Sequence, residues 1–165
     1  MTEKFSLEQR IAARVARFDN RREDWSVFGF ETRKNPKFAR AQRRYIGASG
    51  SVDPGDLRGG LRPSAFTMSI QSMPSGNRIP VHCHEIEETF FILGGACLIR
   101  CYDGDEVAEL RLGKWDLVAI PPFMRHEIVN DGEEVCHVQT LLSAREPLRP
   151  QYEDPELLAL QAQVP

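Results

Sequence analysis

The chain has 165 residues, 41% of them apolar and 27% charged, with a net charge of -3. That is enough apolar material for one ordinary core, and no run approaches the ~18 consecutive apolar residues of a membrane helix. Residues 1–62 hold 14 Lys/Arg against 8 Asp/Glu, whereas residues 63–165 hold 7 against 16. No helix-turn-helix, zinc-finger or RNA-recognition pattern accompanies the basic segment. Nucleic acid and membrane are therefore not expected partners, and the basic arm is read as neutralising an acidic body in its own subunit or a neighbour's. The start, Met-Thr-Glu-Lys-Phe-Ser, lacks the basic-then-apolar pattern of a secretory signal, so a cytoplasmic location is expected. Cys83, Cys97, Cys101 and Cys136 show no CxxC spacing and are expected to be reduced and mostly buried.

An amphipathic helix is expected over residues 6–18. Ser6 and Gln9 stand in capping-box spacing, and Leu7, Ile11, Val15 and Phe18 recur at helical intervals. Asn35-Pro36 reads as an N-cap followed by Pro, opening a second short helix that ends near Tyr45 before Gly47. The Gly-rich stretch 47–62 reads as a loop. These 62 residues are taken as an N-terminal helical and loop arm.

From about residue 64 the period changes to two. Phe66, Met68 and Ile70 alternate with Thr67, Ser69 and Gln71, as in a half-buried strand. Further strands are expected near 79–84, 87–93, 96–102, 106–112, 117–120, 126–129 and 134–142. Gly94-Gly95, Asp103-Gly104 and Asp131-Gly132 read as hairpin turns. Many short strands with regular turns indicate a mainly β sandwich or barrel over residues 63–145. In the tail, 146–165, Pro155 to Gln161 reads as a last helical turn whose Leu157, Leu158 and Leu160 need a surface to cover.

Three of the four histidines fall in one pattern: His82-Cys83-His84 with Glu88 just after, and His126 far downstream. On a strand His82 and His84 share a face, roughly 7 Å apart, while Cys83 points away. Glu88 could fold back to the same point. His126 would have to arrive from across a closed sheet, which a barrel supplies. Imidazole nitrogens and a carboxylate are ligands that divalent first-row metals accept. A lone His-x-His in a strand is more often surface or hydrogen-bonded, so the weight rests on the joint pattern.

That joint pattern resembles the cupin superfamily. The first motif is matched by Gly76, His82, His84, Glu88 and Gly95 (or Gly94). The second is matched by Asp116, Val118, Ile120, Pro121, His126 and Asn130. Two positions depart from it: Lys114-Trp115 separate Gly113 from Asp116, and Phe123 stands where the family usually has a second glycine. The resemblance covers about residues 63–142. It implies a double-stranded β-helix, or jelly-roll, barrel with His82, His84, Glu88 and His126 as metal ligands. Such a set leaves positions open for water, substrate or oxygen. Fe(II) is favoured, with Mn(II), Ni(II), Co(II) and Zn(II) as alternatives.

Other polar residues carry less. His137 reads as a hydrogen-bonded strand residue, Glu87 as solvated, and Arg125 as a surface residue before a substrate-pairing one. Phe66, Met68, Phe90, Ile92 and Ile128 are expected to face inward and make a largely apolar substrate cavity. The functional expectation is a metal-dependent enzyme acting on a small organic molecule, foremost a dioxygenase, with Glu88 as ligand or as catalytic base. The alternatives are an oxygen-independent isomerase or lyase, or a non-catalytic ligand-binding module. A homodimer is expected, with the N-terminal helix and the Leu157–Leu160 turn as candidates for covering the barrel or reaching across the pair.

Overall fold

The computed structural model describes residues 5–51, 53 and 55–164; the first four residues of the arm and Pro165 of the tail lie outside them. Among these described residues nine strands form two facing antiparallel sheets. They are β1 (Ala41–Ile46), β2 (Thr67–Met73), β3 (Arg78–His82), β4 (Glu88–Gly94), β5 (Ala96–Asp103), β6 (Glu106–Gly113), β7 (Leu117–Ile120), β8 (Arg125–Val129) and β9 (Cys136–Leu142). One sheet has the order β1-β2-β9-β4-β7, the other β3-β8-β5-β6. This is the jelly-roll barrel expected. Three helices, α1 (Leu7–Ala12), α2 (Gly29–Lys34) and α3 (Pro155–Gln161), lie outside the sheets.

The core follows from strand alternation. Phe90 and Ile92 of β4, Val138 of β9, Ile99 of β5 and Ile128 of β8 are buried between the sheets. Directly opposed residues of antiparallel strands share a face. One row across the first sheet therefore reads Arg44, Ser69, Thr140, Phe90 and Val118, polar at the β1 end and apolar at the β7 end. This gradient, absent from the sequence-based expectation, sets the chemistry of the interior.

Several expectations require correction. Residues 41–46 are not the end of a second helix. Pro36–Phe38 forms one 3-10 turn with Asn35 as its cap, and the chain then enters β1, which extends the barrel sheet. Gln42 and Arg44 are buried at alternate positions, so their long polar side chains turn inward with a period of two. α1 is shorter than expected, although its Ser6–Gln9 capping box is present. Leu7, Ile11, Val15 and Phe18 are all exposed, and Phe18 meets the Arg43 guanidinium, 4.8 Å from its ring centroid. Of the three proposed hairpins only Asp103-Gly104 joins paired strands, β5 and β6. Gly94-Gly95 and Asp131-Gly132 turn corners between the two sheets. Gly95 is required there: its φ is +73°, and a Cβ would meet the Val135 carbonyl oxygen at 2.9 Å.

The tail closes the barrel. α3 begins after Asp154, which caps it, and Leu157 is buried with Phe38 and Tyr152, whereas Leu158 remains exposed. Gln151 exchanges two backbone hydrogen bonds with Cys83, at 2.9 and 3.0 Å. Ion pairs Arg125–Glu153 and Lys34–Asp154 fix the segment just after Tyr152. The barrel mouth is thus sealed by residues 148–154, tied to the residue between two of the histidines. Among the described residues no helix is long and apolar enough to cross a membrane.

Candidate metal centre

His82 ends β3 and lies directly opposite His126 on β8. The two histidines are neighbours within one sheet, and it is Glu88, at the start of β4, that reaches the cluster from the opposite sheet. This reverses the expected geometry, in which His126 crossed the barrel. His84 follows immediately after β3, on the same side as His82, with ring centroids 5.3 Å apart. Glu88 Oε2 stands 3.4 Å from His82 Nε2, 3.5 Å from His84 Nε2 and 3.3 Å from His126 Nε2. All four side chains are buried.

The protonation of two rings follows from their outer partners. His82 Nδ1 lies 2.8 Å from the Pro80 carbonyl oxygen, and His126 Nδ1 lies 2.9 Å from that of Met124. A carbonyl oxygen only accepts, so both Nδ1 atoms carry the proton, and in the neutral rings Nε2 presents a lone pair inward. Glu88 Oε2 and His126 Nε2 are buried with no hydrogen-bond partner among the described residues. Acceptors therefore face acceptors at about hydrogen-bond range. A divalent cation resolves this, and three imidazole nitrogens with one carboxylate oxygen are a donor set suited to one. His82, His84 and Glu88 can offer ligand atoms that all lie within 4.8 Å of one another. The residues present fit the ion.

Without an ion, protons must do the same work. Burial alone would push the Glu88 carboxyl up, but the inward-facing rings of His126, His82 and His84 outweigh it and hold the carboxyl well below the usual carboxylate range. His84 is driven the other way: burial outweighs the pull of Glu88 and lowers it to about 4. The folded metal-free protein thus binds fewer protons at His84 than the unfolded chain does between pH 6.5 and 4. Its stability must fall as pH falls through that window. The expected loss between pH 7 and pH 5 is about 2 kcal/mol, read as a lower urea midpoint of the metal-free protein. Equal midpoints at the two pH values would contradict this protonation scheme.

The cavity beside the cluster is not the apolar one expected. It has a volume of about 50 Å³. Of the five proposed wall residues only Phe90 lines it, alongside Ile79 and Leu142. Ile92 and Ile128 are buried deeper in the core. Met68 is half-buried on the outer face of β2, and Phe66 borders a separate groove with Ile46 and Leu61. The β2 side chains that turn inward are Thr67, Ser69, Gln71 and, at the far end, Met73. Period-two alternation identifies two faces but not which one is interior; here the polar face is.

The opposite wall carries a buried hydrogen-bonded chain that sequence reasoning missed. The Tyr152 hydroxyl donates to Glu31 Oε1 at 2.8 Å. Arg40 donates to both Glu31 carboxylate oxygens, at 2.6 and 3.2 Å, and through Nε to Gln71 Oε1 at 2.7 Å. Gln71 Nε2 donates to Thr140 Oγ1 at 3.0 Å. Phe28 covers the Arg40 guanidinium, 3.6 Å from its ring centroid. Glu31 and Arg40 are 1% and 3% exposed. Burial first, then the Glu31 carboxylate, raises the Tyr152 phenol well above its usual value, so it keeps its proton. Five chain segments supply this wall. The one cue in the sequence was the alternation Arg40, Gln42, Arg44.

Other residues settle simply. His137 Nδ1 lies 3.1 Å from Ser72 Oγ, a hydrogen-bonded strand position as expected. Glu87 is exposed, and Arg125 pairs with Glu153 rather than facing the cavity. The four cysteines are free thiols. Asn130 is buried, donating to the Met73 and Glu134 carbonyls, and so shapes the β8–β9 corner. Both departures from the second motif hold left-handed backbone, Trp115 at φ +77° and Phe123 at φ +64°. Phe123 keeps the conformation for which glycine is usually used, and its N–H donates to the His84 carbonyl oxygen at 2.7 Å.

A jelly-roll barrel with three histidines and a carboxylate at its centre defines the class. Residues 69–143 match the family model described as the cupin domain, and the chain carries a cupin domain. Among solved structures, an oxalate oxidase is similar at 15% identity and a TM-score of 0.56, covering 72% of this chain and 57% of its own. The DMSP lyase DddQ from Ruegeria pomeroyi DSS-3 is similar at 25% identity and a TM-score of 0.56, covering 71% of this chain and 53% of its own. The chain thus spans little more than half the length of these two proteins. No curated protein matches the sequence.

Proposed function

We propose that this chain is a metal-dependent enzyme acting on a small polar molecule, and specifically an oxidoreductase of the dioxygenase type. The observation that carries the metal is the set of inward lone pairs on Glu88, His82 and His126, two of whose atoms, Glu88 Oε2 and His126 Nε2, are buried without a hydrogen-bond partner among the described residues. His82, His84, Glu88 and His126 would hold the ion. Fe(II) is the first candidate, and a bound ion would supply Lewis acidity to substrate oxygens and, as iron, an oxygen-reactive centre. The chain's own residues hold, orient and enclose. Phe90, Ile79 and Leu142 exclude water beside the cluster. Tyr152 and Arg40 hold Glu31 so that both its oxygens are occupied, and Tyr152 remains a donor.

This occupancy favours the oxidoreductase. An enzyme that removes a proton from carbon needs a free base within reach. Glu31 is saturated, Tyr152 stays protonated, and Glu88 belongs to the ligand set. A sugar-type isomerase would need polar side chains turned inward, and Gln42 and Gln71 line the cavity. A metal-dependent lyase is the second reading, supported by the likeness to a DMSP lyase.

The deciding experiment is oxygen uptake by anaerobically Fe(II)-loaded protein offered short polar acids, alcohols and phenols. Uptake that disappears in His126→Ala supports the dioxygenase. Turnover without oxygen moves the assignment to the lyase. Silence with Fe, Mn, Ni, Co and Zn favours a binding module. The chain is further proposed to work as a homodimer, because Leu7 and Ile11 of α1, with Val15 after it, present an exposed apolar face among the described residues. Removal of residues 1–20 is expected to convert a dimer to a monomer in light scattering; an unchanged mass would contradict this role for the arm.

A further inference from the structure

Unspent donors on the polar wall identify what the cavity receives. The donors of three of its side chains can be counted. Arg40 spends Nε on Gln71, both Nη1 hydrogens on Glu31 and the Phe38 carbonyl, and one Nη2 hydrogen on Glu31, leaving one N–H. Gln71 spends one of its two amide hydrogens on Thr140. The Thr140 hydroxyl accepts that bond and, among the described residues, donates to nothing. These three side chains line the same cavity as His82, His84 and Glu88. Tyr152 sets how close the two walls are, with its ring centroid 6.3 Å from that of His82.

Charge points the same way. Arg40 and Glu31 cancel each other. A divalent ion on three neutral imidazoles and one carboxylate leaves the cluster at +1, so the cavity as a whole favours a monoanion. Its size limits the occupant: about 50 Å³ is room for about four waters, hence for a molecule of only a few heavy atoms.

We propose that the site takes a short monocarboxylate bearing a second polar group, with the carboxylate received by the donors of Arg40, Gln71 and Thr140 and the other end turned to the histidine–glutamate cluster. This rests on the metal reading above and adds the substrate class to it. Gln71 and Thr140 are here specificity residues outside the ligand set.

The test uses full-length Co(II)-loaded protein and reads its visible absorption, which reports both the ion and any small molecule approaching it. Probes are 3-hydroxypropionate, its amide, and azide, which needs only the ion. The acid is expected to bind at least tenfold tighter than the amide. In Thr140→Val and in Gln71→Met, the acid's Kd should rise about tenfold, while azide binding and Co(II) affinity stay unchanged. Two variants are used so that misfolding of one, seen by melting, leaves the other to decide. If acid binding is unmoved in a folded variant, or if acid and azide weaken together, the carboxylate wall is overturned while the metal reading stands. If no Co(II) spectrum develops, the metal reading itself fails and this proposal falls with it.

Discussion

Glu88→Gln is expected to abolish metal binding while leaving the metal-free protein more stable than the wild type. In the metal-free state the carboxylate faces the inward nitrogen lone pairs of His126 and His82 at 3.3 and 3.4 Å. An amide places an N–H donor among those acceptors and removes a buried negative charge. Replacing an unsatisfied buried contact by a hydrogen bond is worth about 1–2 kcal/mol. Loss of the only anionic ligand should lower metal affinity by at least about a hundredfold, since even outer hydrogen-bond partners of metal ligands are worth ten- to hundredfold. Calorimetric melting with and without Zn(II) checks both halves. Wild type should melt higher with zinc and the variant should not, while the metal-free variant should melt above the metal-free wild type. A metal-free variant that melts lower would show that Glu88 is held by charged imidazoles rather than left waiting for an ion. Such strain at a functional position, relieved at the expense of activity, is common in enzymes.

The largest stability effect is expected at Glu31 and Arg40. This pair is buried, with both carboxylate oxygens bonded to the guanidinium. Removing one member leaves an uncompensated interior charge, at a cost of about 3–5 kcal/mol. Arg40→Leu, which strands Glu31, is expected to lower the melting temperature by about 10 °C or more in a chain of this size. The double replacement Arg40→Leu with Glu31→Leu should recover most of that loss, because no buried charge remains, yet should abolish selection of acids over amides. A single variant as stable as wild type would mean that the wall is solvated and open.

The strands from β2 onward were legible because they are short, several alternate, and most end at or beside Gly, Pro or Asp. The ligand set was legible because His82 and His84 share a strand face whatever the tertiary arrangement. β1 was not. Ala-Gln-Arg-Arg-Tyr-Ile has no apolar alternation, since its inward side chains, Gln42 and Arg44, line a polar cavity, and the Asn35-Pro36 start signal was followed by only one 3-10 turn. The same inversion misled the reading of β2, where Met68 and Ile70 face outward. Alternation encodes two faces; only burial distinguishes them. Tyr152 and Glu31 were invisible for a different reason. They lie 121 residues apart and join only when the tail, held by Cys83–Gln151 and the Arg125–Glu153 pair, folds over the barrel mouth. No local pattern reports such a contact.

The most direct test is the metal content of full-length protein purified without chelators, beside that of the His82→Ala, His126→Ala double variant. Close to one transition-metal ion per chain in the wild type, falling towards zero in the folded variant, is the result expected. A wild type that arrives without metal and takes up none on titration, or a variant that keeps its ion, would contradict the account.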